Sequence, residues 1–369
     1  MSHFAILREY KFQQIRYEHS HQKRKGSRTP FFFGIGGDNA EPAASFAFEI
    51  RPSPLYIPAL FCYTVPEVIT MTSIPKIDIH AHAIPWPAYS PRYRHGVTML
   101  SPEELFSQYY DRLHVEKCLL LPLASPEAQL TPITSEMVKY LADLHPDRLL
   151  WSCNVDPRAM SHSPSADLGY PLEHYKTLGA RGVGEVTANL HADDPMMENL
   201  FAACAALHLP VTIHIAPEFG GGYGIVDELG LPRLSKMLKK YPDLIILGHS
   251  QPFWSEIGEN NDEVRNTYVK GKVQNGALAN LLREHPNLYC DLSAGSGANA
   301  LMRDREHAAR FIEEFSDRLL YGCDICMPHQ GFPFTFDEFL TDMRCHGEIS
   351  EANYRKIVRE NACRILQLS

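Results

Sequence analysis

No apolar run in the chain reaches the roughly 20 residues that a membrane-spanning helix requires, so none is expected. Positive charge is not in excess either. The 369 residues carry 35 Lys and Arg against 44 Asp and Glu, a net −9, which disfavours nucleic acid and anionic membranes as partners. Paired cysteine spacing is missing from the 9 cysteines apart from Cys323 and Cys326, and no secretory signal is legible. Reduced thiols in a cytoplasmic setting are therefore expected. What is present, at 44% hydrophobic content, is ample material for a globular core. Small-molecule chemistry is the expected role.

The first 70 residues differ from the rest, with 8 Lys or Arg against 6 Asp or Glu, which leaves −11 for residues 71–369. The pieces Lys23-Arg24-Lys25, Phe31-Phe32-Phe33 and Gly34-Ile35-Gly36-Gly37 follow one another without helical or strand periodicity. Residues 1–70 are expected to be a disordered extension or a mis-set start, with Met71 immediately ahead of the folded domain, residues 71–369.

The most informative motif is His80-Ala81-His82. His-x-His alone is weak, because 18 histidines in a chain this long produce about one such pair by chance. A second copy, His19-Ser20-His21, lies among Gln, Lys and Arg and reads as a solvated accident. The copy at 80 and 82 follows Ile74-Pro75-Lys76-Ile77-Asp78-Ile79, whose period of two predicts a strand with both imidazoles on one face.

Seven further β-rich runs follow, at residues 116–124, 149–157, 180–188, 210–217, 244–251, 287–294 and 318–326. Helical patterns alternate with them, at 132–145, 194–208, 232–241, 274–285 and 298–315. Strands alternating with crossover helices predict a (β/α)8 TIM barrel, with a doubly wound sheet as the other candidate. An amphipathic stretch at 350–368, with Ser350 as N-cap, is expected to seal the barrel wall.

In such a barrel the C-terminal strand ends share one mouth. They carry His80 and His82, Glu185, His214, His249 and Asp324, each closing an apolar run. Burying four imidazoles and two carboxylates together is costly, whereas a divalent cation compensates the charge and takes the imidazole lone pairs. Blander readings exist for each residue. A lone His214 or His249 is more often a satisfied core histidine, Glu185 could pair with Arg158, and Asp324 could cap the next segment. Agreement among five strands favours a metal site. Cys323 faces away from its neighbour Asp324 and is read as core.

With these residues in place, the chain from about residue 74 onward resembles the amidohydrolase superfamily. The likeness is to the branch that includes aminocarboxymuconate-semialdehyde decarboxylase, resorcylate-type decarboxylases, lactonases and other hydrolases. It rests on Lys76-Ile77-Asp78-Ile79-His80-Ala81-His82, Ile213-His214, Leu247-Gly248-His249, Gly322-Cys323-Asp324 and Asn361-Ala362-Cys363-Arg364-Ile365-Leu366. The resemblance implies metal ligands at His80, His82, His214 and Asp324, and a ligand or acid/base at His249. Two departures stand out. Glu185 occupies the place where other superfamily members put a bridging carboxylate or carboxylated lysine, which raises the case for a second ion. Ser250-Gln251-Pro252-Phe253-Trp254 differs from the glycine-rich sequence often found after the strand-six histidine.

The expected activity is metal-assisted hydrolysis of a C–N or C–O acyl bond in a small amide, lactone or ester. The cation would bring the pKa of a bound water toward about 7, and Asp324 would carry the proton. Non-oxidative decarboxylation of an aromatic or unsaturated acid is the alternative, and a metal-binding protein without catalysis is a third class. Zinc is the first choice of ion, one or two per chain, with manganese or iron as substitutes. Trp86, Arg92, Arg94 and Trp254 are candidate substrate contacts, and the glycine cluster at 218–224 is a candidate lid. A homodimer is one oligomeric state to test.

Overall fold

The computed structural model describes residues 73–93, 96–128, 130–220 and 222–368. The expectations for residues 1–70 and for Arg94 fall outside the described residues. No helix among the described residues is long and apolar enough to cross a membrane.

All strand pairings are parallel and follow sequence order. β1 (Lys76–Ala81), β2 (Val115–Leu120) and β3 (Leu149–Trp151) form one run. β4 (Val183–Val186), β5 (Val211–Ala216), β7 (Ile246–His249), β8 (Leu288–Asp291) and β9 (Leu319–Leu320) form the second, with the two-residue β6 (Ile225–Val226) paired to the end of β5. Backbone hydrogen bonds close both seams. Cys153 N–H donates to Gly182 at 3.0 Å and Gly184 N–H to Cys153 at 2.9 Å, joining β3 to β4. His82 N–H donates to Ile325 at 3.0 Å and Asp324 N–H to His80 at 2.7 Å, joining the chain beyond β9 to β1. The result is the expected (β/α)8 barrel, each of whose eight wall strands overlaps one expected run.

The helices start where the sequence supplies caps. Thr134 accepts from Met137 N–H ahead of Ser135–Leu144, and Asp194 accepts from Met196 N–H ahead of Pro195–Ala206, with proline in the first turn. The helix expected at 298–315 is instead two helices, Ala294–Met302 and Arg305–Phe315. Asp304 breaks it, because its carboxylate caps the second helix through His307 N–H.

Ile77, Ile79, Leu119, Leu121, Leu247, Tyr289 and Leu320 pack in one cluster. β2 and β7 are not sheet neighbours, so these side chains meet across the lumen. Ala362, Ile365 and Leu366 complete the cluster. Asn361 donates to the carbonyls of Ser316 and Leu319 at the entry to β9, and Arg181, ahead of β4, donates to those of Leu366 and Gln367. The C-terminal segment thus crosses the barrel floor, where the sequence suggested only a wall position, because its apolar side chains complete the lumen core.

Gly184 enters β4 at φ +137°, and a Cβ there would lie 2.6 Å from the Thr212 carbonyl oxygen of the next strand. Gly184→Ala is expected to cost at least about 2 kcal/mol, read as a lower denaturant midpoint. An unchanged midpoint would show that the wall yields at this point.

Candidate metal centre

The first strand is irregular where it matters. Its pairing with β2 shifts register between Asp78 and Ala81. There Asp78 Oδ1 accepts from the N–H groups of His80 and Cys323, both at 2.9 Å, and Oδ2 accepts from the Tyr110 hydroxyl at 2.6 Å. Burial raises the Asp78 carboxyl to about 6, although each of these bonds pulls it down. Asp78 therefore fastens the histidine-bearing bend to the chain beyond β9.

The two imidazoles are each held by Nδ1. His80 Nδ1 lies 2.6 Å from Asp291 Oδ2, and His82 Nδ1 lies 2.8 Å from the Leu121 carbonyl. An Nδ1–H donated to those acceptors leaves the Nε2 lone pairs for a ligand. The two Nε2 atoms face each other at 3.2 Å. Neutral lone pairs would repel at that range unless a proton or a cation sits between them. Tetrahedral zinc, with bonds of about 2.05 Å, sets neighbouring nitrogens about 3.3 Å apart, so the pair fits one ion.

Carboxylates bracket the pair. Glu185 Oε2 lies 3.4 Å from His82 Nε2 and 3.7 Å from His80 Nε2, and Asp324 Oδ1 lies 3.5 and 3.7 Å from the same atoms. Donor atoms fall within 4.8 Å of one another in two overlapping groups, His80 with His82 and Asp324, and His80 with Glu185 and His249. His214 belongs to neither group and joins through Glu185 Oε1, 2.6 Å from its Nδ1. Its buried Nε2 has no partner, and the ring lies 4.5 Å from Tyr223 and 5.4 Å from His249 between centroids.

Charge in the cluster is strongly redistributed. Burial drives the His80 pKa down, but Asp291 and then Glu185 and Asp324 outweigh it and hold the imidazole well above its usual value. Burial also raises Glu185, yet its bond to His214 and the surrounding imidazoles keep it well below the usual carboxylate range. Asp291 is held low by His80 against its own desolvation. His249 is pushed down to about 4 by burial and by the charge on His80.

The blander readings can be checked in turn. Arg158 is occupied by Asp156 and Glu127, at 2.7 and 2.5 Å, and makes no pair with Glu185. Cys323 is buried and its thiol is driven up by burial, so it behaves as core. Trp254 is buried and donates its indole N–H to the Asp291 carbonyl at 2.9 Å. Trp86 is half-exposed beside Tyr140, and Arg92 donates to the Gly96 carbonyl. The glycine-rich loop is anchored, because Asn189 donates to the carbonyls of Glu218 and Gly224 and accepts from Gly220 N–H.

Asp291 and Ser293 escaped sequence reasoning. Ser293 Oγ lies 3.0 Å from His249 Nδ1 and 3.2 Å from His80 Nδ1, so one short segment beyond β8 supports two histidines. The signal was available: Leu288-Tyr289-Cys290-Asp291 is an apolar strand ending in a carboxylate, like those bearing Glu185 and Asp324.

The fold resembles that of a putative 2-pyrone-4,6-dicarboxylic acid hydrolase from Pseudomonas putida, with TM-score 0.51, 15% identity, and 81% of this chain and 99% of that one covered. It also resembles 2,6-dihydroxybenzoate decarboxylase from Rhizobium, with TM-score 0.50, 17% identity, and 79% and 98% covered. At such identities these likenesses establish the barrel and nothing finer. No curated protein matches the chain. Residues 77–368 match the family model described as Amidohydrolase, spanning every wall strand from the His80 motif to the floor segment, and the chain belongs to the amidohydrolase family.

Proposed function

We propose that this amidohydrolase-family enzyme hydrolyses a C–N or C–O acyl bond in a small amide, lactone or ester. The observation that carries the reading is the position of Asp324. Its side chain is 26% exposed, against 5% for Glu185 and 0% for Asp291, so among the cluster's carboxylates it is the one that reaches the mouth. It stands between the His80–His82 pair and His249, whose Nε2 is 3.9 Å from Asp324 Oδ2. His80, His82 and Asp324, with Glu185 completing the set, would hold a divalent cation, zinc first and manganese or iron as substitutes. A cation bound there supplies an acidified water and a polarised substrate carbonyl.

The chain's own groups do the rest. Asp324 accepts the proton of the attacking water and passes it to the leaving group. His249 stays neutral near pH 7, and a Ser293 hydroxyl donating to its Nδ1 places the remaining proton on Nε2, aimed at the developing oxyanion. Glu185 fixes His214 and adds negative charge beside the histidine pair.

Elemental analysis, followed by a screen of lactones, N-acyl compounds and aromatic acids, tests the proposal. Acid release from an ester, lactone or amide is expected. Carbon dioxide release from an aromatic acid, without hydrolysis of any acyl substrate, would replace hydrolysis with decarboxylation.

A proton balance gives a second check. The raised pKa of His80 means the metal-free imidazole keeps its proton at pH 7, and that proton must leave when Nε2 becomes a ligand. Calorimetric titration with zinc in buffers of different ionisation enthalpy should show about one proton released per ion at pH 7. Release should fall as pH rises through the His80 value. No release at pH 7 would mean His80 is not the ligand.

A further inference from the structure

Beside the metal centre lies a cleft that takes no part in the chemistry above. Gln251, Trp254, Tyr268, Ser296, Asn299 and Arg303 are among its walls, and it has room for a water-sized group, ≈ 10 Å³. Its place at the barrel mouth follows from the chain. Gln251 is two residues beyond His249, Ser296 is three beyond Ser293, and Trp254 donates to the Asp291 carbonyl.

Two donors in these walls lack acceptors. Ser296 is 3% exposed and its Oγ has no partner. Arg303 Nε is buried without a partner, and its guanidinium makes no hydrogen bond or ion pair among the described residues. The adjacent acid cannot serve it, because Asp304 accepts from Val273 N–H, Lys272 Nζ and His307 N–H. Asn299 Nδ2 is likewise taken by the Val269 carbonyl. Nor is the guanidinium free to swing at random. A Cβ on Gly258 would lie 2.5 Å from Arg303 Nη2, so the side chain rests against that glycine.

A guanidinium offers five donors and no acceptor, so its ligand must supply oxygen lone pairs. A water could fill the space but would leave the half-buried charge unneutralised, which is the costly part. We infer that this cleft is a binding site for a carboxylate group, with Arg303 and Ser296 as its donors, at the rim of the metal centre. Two sources share that chemistry: a carboxylate carried by the substrate, which would deepen and rest on the hydrolytic reading, and a free small carboxylate acting as an effector.

Sodium acetate, titrated into metal-free protein at constant ionic strength, is the probe, with intrinsic fluorescence as readout because Trp254 lines the cleft. Saturable binding is expected. Arg303→Met should weaken it about 10-fold or more, and Arg303→Lys should retain most of it. Gly258→Ala keeps the charge but displaces the guanidinium, and Ser296→Ala removes the second donor, so each should weaken binding several-fold. Circular dichroism checks that the variants are folded. Absence of saturable binding, or equal affinity in Arg303→Met, overturns the site. This arm needs neither metal nor turnover, so its failure is distinct from failure of the hydrolytic reading. With an active substrate in hand, acetate that raises KM at constant kcat for carboxylate-bearing substrates alone identifies the substrate as source. A change in kcat shared by neutral and acidic substrates identifies an effector.

Discussion

Asp324→Asn should lower kcat by about 10²- to 10⁴-fold, the usual range for loss of a positioned general base, while the bound metal stays near its wild-type level. Two geometric facts separate those effects. The histidine pair is set by Asp291 and Leu121, not by Asp324, so the imidazole lone pairs keep their direction in the variant. An amide is nearly the same size as the carboxylate and can still offer one oxygen toward the pair, but it cannot take a proton from water near neutral pH. Elemental analysis and steady-state kinetics on the same sample decide the matter. A full metal complement with an undiminished rate would remove Asp324 from proton transfer, and loss of metal together with activity would make it chiefly a ligand.

Asp291→Ala should weaken metal binding by about 10- to 100-fold, the range found when the group behind a ligating histidine is removed. The carboxylate is fully buried, 2.6 Å from His80 Nδ1, and it fixes which nitrogen faces the site. In the variant His80 can turn or change tautomer, and Ser293 Oγ, at 3.2 Å, is the remaining group within reach of Nδ1. The metal-free protein should also lose about 1 to 3 kcal/mol, since a buried imidazole is left without its acceptor. The pH dependence has a definite sign. Because the folded His80 pKa is raised, its contribution is full below the unfolded value of 6.5 and fades as pH rises through the folded value. Because the folded Asp291 pKa is lowered, its own contribution is present above 3.8 and fades as pH falls through the folded value. The difference in stability between wild type and variant should therefore be greatest in the window between 3.8 and 6.5. Competition with a chelator and denaturant melts measure the two effects separately. Unaltered metal affinity would mean that His80 is oriented by packing alone.

What could be read from residue order is local. Alternation with period two marked Lys76–Ala81 and its counterparts, and polar residues closing those apolar runs marked His80, His82, Glu185, His214, His249 and Asp324. One step of the same logic was left untaken at Asp291. Other features had no local trace. Asp304 divides a helix because its carboxylate meets His307 N–H and Val273 N–H, the latter 31 residues away. His214 enters the site through Glu185, a pairing across 29 residues that no spacing rule encodes.

The sequence by itself determined the barrel and which side chains stand at its mouth, because strand period, helix caps and proline punctuation act within a few residues. Only the tertiary structure decided which nitrogen each histidine offers, that the C-terminal segment floors the lumen, and that Arg303 is left without an anion. Those outcomes depend on groups brought together across long separations, such as the 211 residues between His80 and Asp291. Over such distances it is burial, and the need to satisfy every buried polar atom, that selects partners.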